Sequence, residues 1–315
     1  MQALQTIKKI SAENLPPILV LSGDDIGQFE WMKEQLLKKV GYDSSDLNYS
    51  YFDMKETAYS EVELDLVSLP FFADEKIVIL DHFVDVTTAK KRYLTDDELQ
   101  SFEGYLSAPL ETTRLIVIAE GKLDSKRRIV KLLKRDAQLL EATELKEQEL
   151  RAHFAEEIKS LGLAIDSQAF DQLLIKSGFD FSEIQKNLEF LKTYKGASSI
   201  TITDIEEAIP KTLQDNLFDL IQMILKKQID SARSLVKDLR LQGEDEIKLL
   251  AILLSQFRIY TQVKLLKQEG RTESQIVSGL SELTGRKVNP YQVNFALRDS
   301  RGISLAYLEQ ALCLL

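Results

Sequence analysis

The sequence has few of the residues that build disulfides and metal sites. Its 315 residues include a single cysteine, Cys313, and two histidines, His82 and His153. One cysteine excludes a disulfide within the chain and a thiolate metal cluster, and it fits a reducing compartment. The histidines are not at the spacing of a two-histidine zinc site, so each is expected to be an ordinary surface or core residue. We expect no metal and no cofactor.

Positive charge and long apolar runs are also scarce. The formal net charge is −10, which argues against a protein that coats nucleic acid, because phosphate binding needs a locally positive surface. The N-terminal stretch lacks the apolar core of a signal peptide, and no later run approaches membrane-spanning length. We therefore expect a cytoplasmic chain that does not enter a membrane.

The first part of the chain alternates short apolar runs with helical patterns. The runs are bounded by polar residues or glycine and read as strands: Ile18 to Leu21, Lys76 to Leu80, Arg114 to Ala119 and Gln138 to Glu141. This alternation predicts a parallel sheet covered by helices. Capping boxes indicate two helix starts, at Ser60 with Glu63 and at Thr95 with Glu98.

After about Glu144 the strand-like runs stop, and amphipathic helices continue to the end. Three short helices of a small helical domain are predicted at Leu145 to Leu161, Ser167 to Lys176 and Ser182 to Tyr194. A longer helix, Glu244 to Glu269, is apolar on more than one face. It must be covered either inside its own bundle or by partner subunits.

The loop after the first strand, in LVLSGDDIGQFEWM, is where a phosphate-binding loop would lie. A working loop, GxxxxGK followed by Ser or Thr, needs glycines around the phosphates, a lysine for their charge and a hydroxyl for magnesium. Counted from Gly23, the last three positions are Gln28, Phe29 and Glu30. Asp24 and Asp25 place carboxylates where polyphosphate would lie, and Asp81 is followed by His82 instead of a catalytic glutamate. The sequence favours a nucleotide-binding scaffold without nucleotide chemistry over a divergent ATPase.

A basic segment, GKLDSKRRIVKLLKRD, follows the Arg114 to Ala119 run. Ser125 is a candidate helix cap, and the helix collects Lys126, Arg127, Arg128, Lys131, Lys134 and Arg135. A solvated helix face explains such a pattern, with cations near the C-terminal end favoured by the helix dipole. Contact with a phosphate backbone or an acidic partner is the other interpretation.

The stretch VSLPFFADEKIVIL sets Phe71 and Phe72 side by side after Pro70. The residue before a proline is pushed out of helical geometry, so the preceding helix ends there. Adjacent side chains in an extended segment point opposite ways, so at least one ring is expected to be exposed. On this pattern Phe71 and Phe72 are either part of the chain's own core or exposed for contact with a partner.

Five blocks of the sequence, taken together, resemble the delta subunit of the bacterial DNA polymerase III clamp loader. They are SLPFFADEKIVIL, GKLDSKRRIVKLLK, NLFDLIQMIL, LLAILLSQFRIYTQVKLL and NPYQVNFALR. The resemblance spans nearly the whole chain, and the order of the blocks is specific. One departure lies at the end, where SLAYLEQALCLL stops inside a predicted helix, whereas the family commonly continues through further helical turns.

The resemblance implies an α/β plus all-α chain with three domains. These would be an AAA+-type parallel sheet domain with a degenerate nucleotide site (residues 1–143), a three-helix lid (144–210) and a helical collar for subunit association (211–315). The implied function is to bind and open the sliding clamp for loading onto primed DNA. Such a subunit is no enzyme by itself, although it belongs to the DNA polymerase III holoenzyme, a nucleotidyltransferase complex. The implied partners are the sliding clamp (beta subunit), the gamma/tau and delta prime subunits, and primed DNA within the assembled complex.

In this family the clamp is gripped by an apolar pair before a strand of the sheet, and the matching residues here are Leu69, Phe71 and Phe72. The family's clamp peptide usually reads Leu-Phe, where this chain has Phe-Phe after a proline. The basic segment adds Lys126, Arg127, Arg128 and Lys131 as candidate DNA contacts. A divergent AAA+ NTPase or helicase-loading factor, and a DNA-binding helical scaffold, are the alternative functions.

Overall fold

The computed structural model describes residues 1–71, 73–196, 198–209, 213–285, 288 and 290–314. The chain divides into two compact units, Met1–Ile209 and Pro210–Leu315. The first unit contains a sheet with helices around it, and the described part of the second is helical. The further division between residues 143 and 144 stays a prediction.

Within the described residues, one sheet has five parallel strands in the order β2-β3-β4-β1-β5. They are β1 (Ile18–Gly23), β2 (Tyr49–Asp53), β3 (Lys76–Asp81), β4 (Thr113–Glu120) and β5 (Gln138–Ala142). In the central pairs, Val20 lies opposite Val117 and Val78 lies opposite Leu115. The predicted parallel α/β fold is therefore confirmed. The edge strand β2 was not predicted, because its side chains are only partly buried and lack a continuous apolar run.

The helices of the first unit are α1 (Gln2–Lys9), α2 (Ile26–Lys39), α3 (Tyr59–Val67), α4 (Asp96–Ser107), α5 (Arg128–Asp136), α6 (Glu147–Ser160), α7 (Ser167–Lys176), α8 (Phe181–Lys195) and α9 (Ile202–Ala208). Helix α4 begins with the predicted capping box, in which the backbone N–H of Glu98 donates to the Thr95 hydroxyl and the Glu98 carboxylate accepts from the Thr95 N–H. The capping box at Ser60 is wrong, because α3 already begins at Tyr59 with Ala58 as its N-cap. The Glu63 carboxylate instead accepts a hydrogen bond from Ser101 of α4.

The two faces of the sheet carry separate apolar clusters, because successive strand side chains point to opposite sides. Leu19 and Leu21 belong to one cluster, which α1, α2 and the helices α6 to α9 cover. Ile18 and Val20 belong to the other, which α3, α4 and α5 cover. Burial on both sides explains why the central strands read as continuous apolar runs.

An aromatic cluster joins α2 to the helices that follow the sheet. The Trp31 ring lies edge-on to His153 of α6, with 4.9 Å between ring centroids, and 6.1 Å from Phe181 of α8. Phe154 packs 4.9 Å from Phe181. These helices therefore share one core with the sheet's first face.

The second unit is built around its longest helix. Its helices are α10 (Leu213–Leu225), α11 (Ile229–Leu241), α12 (Glu246–Gln268), α13 (Glu273–Thr284), α14 (Pro290–Asp299) and α15 (Leu305–Leu314). Helix α12 buries Leu249, Phe257 and Val263 in the core of this unit, while Ile247 and Leu250 stay exposed. Its own bundle therefore covers one side of α12, and part of its apolar surface remains open.

Helix α12 corrects one expectation from the sequence. Among the described residues it is the one helix long and apolar enough to cross a membrane, judged by length and composition alone. The expectation that no segment approaches membrane-spanning length is therefore wrong. The same test is passed by the core helix of a soluble protein, and α12 packs against α10, α13, α14 and α15.

Candidate functional site

An exposed apolar loop follows α3 and leads into β3. Helix α3 ends at Val67, and Ser68 is already extended, so the helix stops before Leu69, the residue that Pro70 disfavours in helical geometry. Leu69 is 66% exposed and Phe71 is 90% exposed. Phe72, the other half of the predicted pair, lies outside the described residues. The loop thus carries at least two large apolar side chains in solvent.

The exposed apolar surface continues onto α3. Leu64 is 71% exposed and Val67 is 56% exposed, and their spacing of three residues puts them on one side of the helix. We call Leu64, Val67, Leu69 and Phe71 the apolar tip. Single exposed apolar residues are normal, but a cluster of four within eight residues is typical of a surface that another molecule covers.

Polar contacts hold both ends of this loop. Lys76, the first residue of β3, is buried, and its ammonium donates to the Ser68 hydroxyl (2.8 Å) and to the Asp65 carboxylate (3.3 Å) and backbone carbonyl. Next to it, Arg114 of β4 donates through two guanidinium nitrogens to the two carboxylate oxygens of Glu75. The base of the apolar tip is therefore fixed to α3 and to the sheet.

The protein's own backbone at Ala142 packs against the loop after β1, where a phosphate would bind. The backbone N–H groups of Asp24 and Asp25 donate to the carbonyl of Ala142, at 3.1 and 3.3 Å. A carboxylate oxygen of Asp25 accepts the N–H of Gln28 (2.9 Å) and caps α2. Gly23, with φ of 149°, lies so close that an added Cβ would be 2.0 Å from the same Ala142 oxygen. The N–H groups of Asp24, Asp25 and Gln28 are thus already used by the protein.

Negative charge gathers at the same place. Burial raises the pKa of the Asp25 carboxyl, and the nearby carboxylates of Asp180, Glu144 and Asp24 raise it further. Gly27 approaches Ser182 at the start of α8 so closely that a Cβ would lie 2.7 Å from its backbone nitrogen. A polyphosphate would meet four carboxylates and a packed backbone here.

The end of β3 is a closed polar cluster. One carboxylate oxygen of Asp81 accepts hydrogen bonds from the Lys33 ammonium (2.6 Å) and the Tyr51 hydroxyl. The other oxygen accepts a hydrogen bond from the backbone N–H of His82 (2.8 Å). His82, whose φ is 56°, places Nδ1 3.0 Å from a carboxylate oxygen of Asp53. Both oxygens of Asp81 thus have protein partners. In the part of the chain that the structure describes, no group of three His, Cys, Asp or Glu side chains could hold a metal ion.

Comparison with known proteins gives the family. The family model for the DNA polymerase III delta subunit matches residues 19–143, and the model for the C-terminal domain of the same subunit matches residues 214–315. The chain belongs to the DNA polymerase III delta subunit family. The DNA polymerase III subunit delta of Bacillus subtilis (strain 168) is 28% identical to it over 264 residues, which cover 83% of this chain and 74% of that relative.

A solved structure of a delta protein agrees in fold. The Bacillus subtilis DNA clamp loader delta protein superposes with a TM-score of 0.62 at 26% identity, covering 99% of this chain and 90% of that one. Like that protein, this chain combines a parallel sheet unit with a helical C-terminal unit. The resemblance read from the sequence is confirmed.

In this delta-family chain the arginines of the basic segment are engaged with the protein. The Arg127 guanidinium donates to the carbonyl of Asp85, and Arg128 forms an ion pair with Glu103 of α4 (3.2 Å). Four lysines of the segment are exposed and form no ion pair with the residues that the structure describes: Lys122, Lys126, Lys131 and Lys134. Their charges remain available to an external anion, and Lys126 and Lys131 are the two among the candidate DNA contacts.

The expected helix start in this segment is wrong. Helix α5 begins at Arg128, with Arg127 as its N-cap and no side-chain cap. Ser125 lies before the helix, and its hydroxyl accepts a hydrogen bond from the Lys134 ammonium (2.8 Å). Asp124, which accepts the N–H of Lys126, shapes this turn instead.

Proposed function

We propose that this clamp-loader delta subunit binds the sliding clamp through its apolar tip and opens one interface of the clamp ring. The observation that carries the proposal is the exposure of Leu69 and Phe71 on a loop whose base is fixed. In the delta family this position is the clamp contact. Phe72 is proposed as part of the contact from the sequence alone.

The energy that the tip can supply is large enough to matter. Full burial of one such side chain contributes about 1.5–3 kcal/mol, so Leu69 and Phe71 together contribute a few kcal/mol. Each 1.4 kcal/mol is about tenfold in affinity. Any strain imposed on the ring interface must come from tighter binding to the open ring than to the closed one.

We propose further that the chain does not bind or hydrolyse ATP and is not an enzyme by itself. Three features support this: the Asp24 and Asp25 N–H groups are bonded to Ala142, the carboxylates of the loop repel phosphate, and the loop lacks its lysine and hydroxyl. Its part in the DNA polymerase III holoenzyme would then be mechanical. Titration with labelled ATP and magnesium tests this, since micromolar binding would instead favour a divergent AAA+ NTPase or helicase-loading factor.

The remaining partners follow from the family and from two surfaces. We propose that the C-terminal unit is a collar that joins gamma/tau and delta prime subunits, and its exposed Leu241, Ile247 and Leu250 support this. Lys126 and Lys131 are proposed to face primed DNA within the assembled, cytoplasmic complex. Arg127 would contribute less, because its side chain is mostly buried and pairs with Asp124 (3.4 Å), whereas Arg128 is 79% exposed and its ion pair with Glu103 leaves it accessible.

Surface plasmon resonance on the immobilised cognate sliding clamp tests the central proposal. We expect Phe71→Ala to weaken binding at least tenfold and Leu69→Ala/Phe71→Ala to abolish it, because the buried apolar area is lost. Leu47→Ala is the matched control, because Leu47 is 76% exposed in the same unit but outside the apolar tip. Equal affinity for all three variants and the unmodified chain would refute the assignment.

A further inference from the structure

Lys76 is a buried lysine whose ammonium directs all three of its hydrogen bonds to the end of α3. An ammonium has three N–H donors and no acceptor, and burying it is costly unless the donors are satisfied. Here they serve the Asp65 carbonyl, the Asp65 carboxylate (3.3 Å) and the Ser68 hydroxyl (2.8 Å). All three acceptors belong to the last turn of α3 and its cap.

This position makes Lys76 a C-terminal cap supplied by a distant part of the chain. The last carbonyls of a helix have no partner within the helix, and a cation near them interacts favourably with the helix dipole. Ser68 adds to the same cap by donating to the Asp65 carbonyl (3.0 Å). The end of α3 is thereby joined to the start of β3, and the intervening residues form a loop closed at its base.

The sheet fixes the other side of that base. The Lys76 N–H donates to the carbonyl of Thr112 (2.9 Å), and Arg114 holds the Glu75 carboxylate (Nε to Oε2, 2.8 Å). The backbone on either side of the apolar tip therefore has few conformations available. A surface that is already ordered binds with a smaller entropic cost than one that must order on binding.

We infer that Lys76 is a positioning residue for clamp binding: its buried ammonium closes the base of the loop and keeps Leu69 and Phe71 in the conformation that enters the clamp. This inference rests on the proposed function. Lys76 itself would not touch the clamp. Without its ammonium, the binding-competent conformation becomes a minor population, and the apparent dissociation constant rises by the inverse of that fraction.

The kinetics separate this role from a direct contact. Lys76→Met is expected to slow association with the immobilised clamp about tenfold with little change in dissociation, because only the competent fraction binds. Phe71→Ala is expected to speed dissociation, because it removes contact area. Circular dichroism and the fluorescence of Trp31 establish that each variant is folded.

Two further variants guard against a general loss of structure. Lys33→Met is the matched control, because Lys33 pairs with buried Asp81 (2.6 Å) at the opposite end of β3. It is expected to lower stability and leave both clamp rate constants within twofold. Asp65→Leu/Lys76→Met replaces buried Lys76 and half-buried Asp65 together with apolar side chains. Proteins often tolerate such a replacement of an ion pair, and this variant should show the same slow association while folded.

The outcomes distinguish the inference from the function on which it rests. If Phe71→Ala weakens binding while folded Lys76→Met and Asp65→Leu/Lys76→Met associate at the unmodified rate, the positioning role is overturned and the proposed function stands. Equal slowing by Lys33→Met would also overturn it, because the effect would then be general. If Phe71→Ala leaves the affinity unchanged, both fall.

Discussion

The stability of the first unit should depend on pH through His153. This residue of α6 is buried, its ring stacks on Phe181 with 5.1 Å between centroids, and its Nε2 has no hydrogen-bond partner among the described residues. Burial lowers its pKa from 6.5 to about 4, with the positive charge of Lys8 acting in the same direction and Glu156 opposing it. The folded protein therefore holds the imidazole neutral.

The size of the effect follows from the difference between folded and unfolded states. The unfolded chain takes up a proton below pH 6.5, whereas the folded chain resists protonation until about pH 4, so stability is present above 6.5 and falls as the pH drops towards 4. One pKa unit corresponds to 1.36 kcal/mol, so the whole effect is about 3 kcal/mol. Between pH 7 and pH 5 it is about 2 kcal/mol.

Urea unfolding at pH 7 and pH 5, followed by fluorescence, measures this loss. Trp31 is the single tryptophan, and its ring touches His153, so the signal reports on the first unit. In His153→Phe, which keeps a ring against Phe181, the loss between the two pH values should be about 2 kcal/mol smaller than in the unmodified chain. Other titrating groups are common to both proteins and cancel in the comparison. The same pH dependence in both would refute the reasoning.

Three other substitutions are expected to act as follows. Gly27→Ala should lower the free energy of unfolding by about 1–3 kcal/mol, because its Cβ would overlap Ser182; urea unfolding measures it. Thr95→Ala removes the N-cap of α4 and should cost about 1 kcal/mol in the same assay. Lys126→Glu/Lys131→Glu should leave clamp affinity unchanged while lowering the salt dependence of primed-DNA binding by the assembled clamp loader, with a slope reduced by about 2.

For each of these three predictions, one result would contradict the physical reason given for it. An undiminished stability of Gly27→Ala would mean that the start of α8 does not pack against the first turn of α2. Full stability of Thr95→Ala would show that the cap is dispensable. An unchanged salt slope for the double lysine variant would leave α5 as a solvated helix face.

The central strands and the longer helices could be predicted because their burial produces a recognisable pattern of apolar residues in the sequence. Ile18 to Leu21 and Leu115 to Ala119 are buried on both sheet faces and read as unbroken apolar runs. Strand β2 was missed because an edge strand buries less, although its three aromatic residues, Tyr49, Tyr51 and Phe52, were an available signal. The false cap at Ser60 shows that a four-residue pattern without its tertiary context is weak.

Some residues of the candidate site could be predicted from the sequence and others could not. The proline, the adjacent phenylalanines and the family resemblance drew attention to the loop from the sequence. Leu64 and Val67 did not stand out, because an apolar residue on an amphipathic helix reads as core until the packing partners of Val62 and Leu66 are known. Lys76 also gave no signal, since a lysine that opens a strand is ordinarily solvated. Its partners Asp65 and Ser68 become neighbours only when α3 folds back onto β3.

Site-specific photo-crosslinking tests the account most directly. A benzophenone side chain is placed at residue 71 and, as control, at residue 190, where Phe190 of α8 is exposed on the same unit. The account predicts that, after irradiation with the sliding clamp, position 71 forms a covalent adduct with the clamp and position 190 does not. An adduct from position 190 with none from position 71 would contradict the claim that this loop enters the clamp.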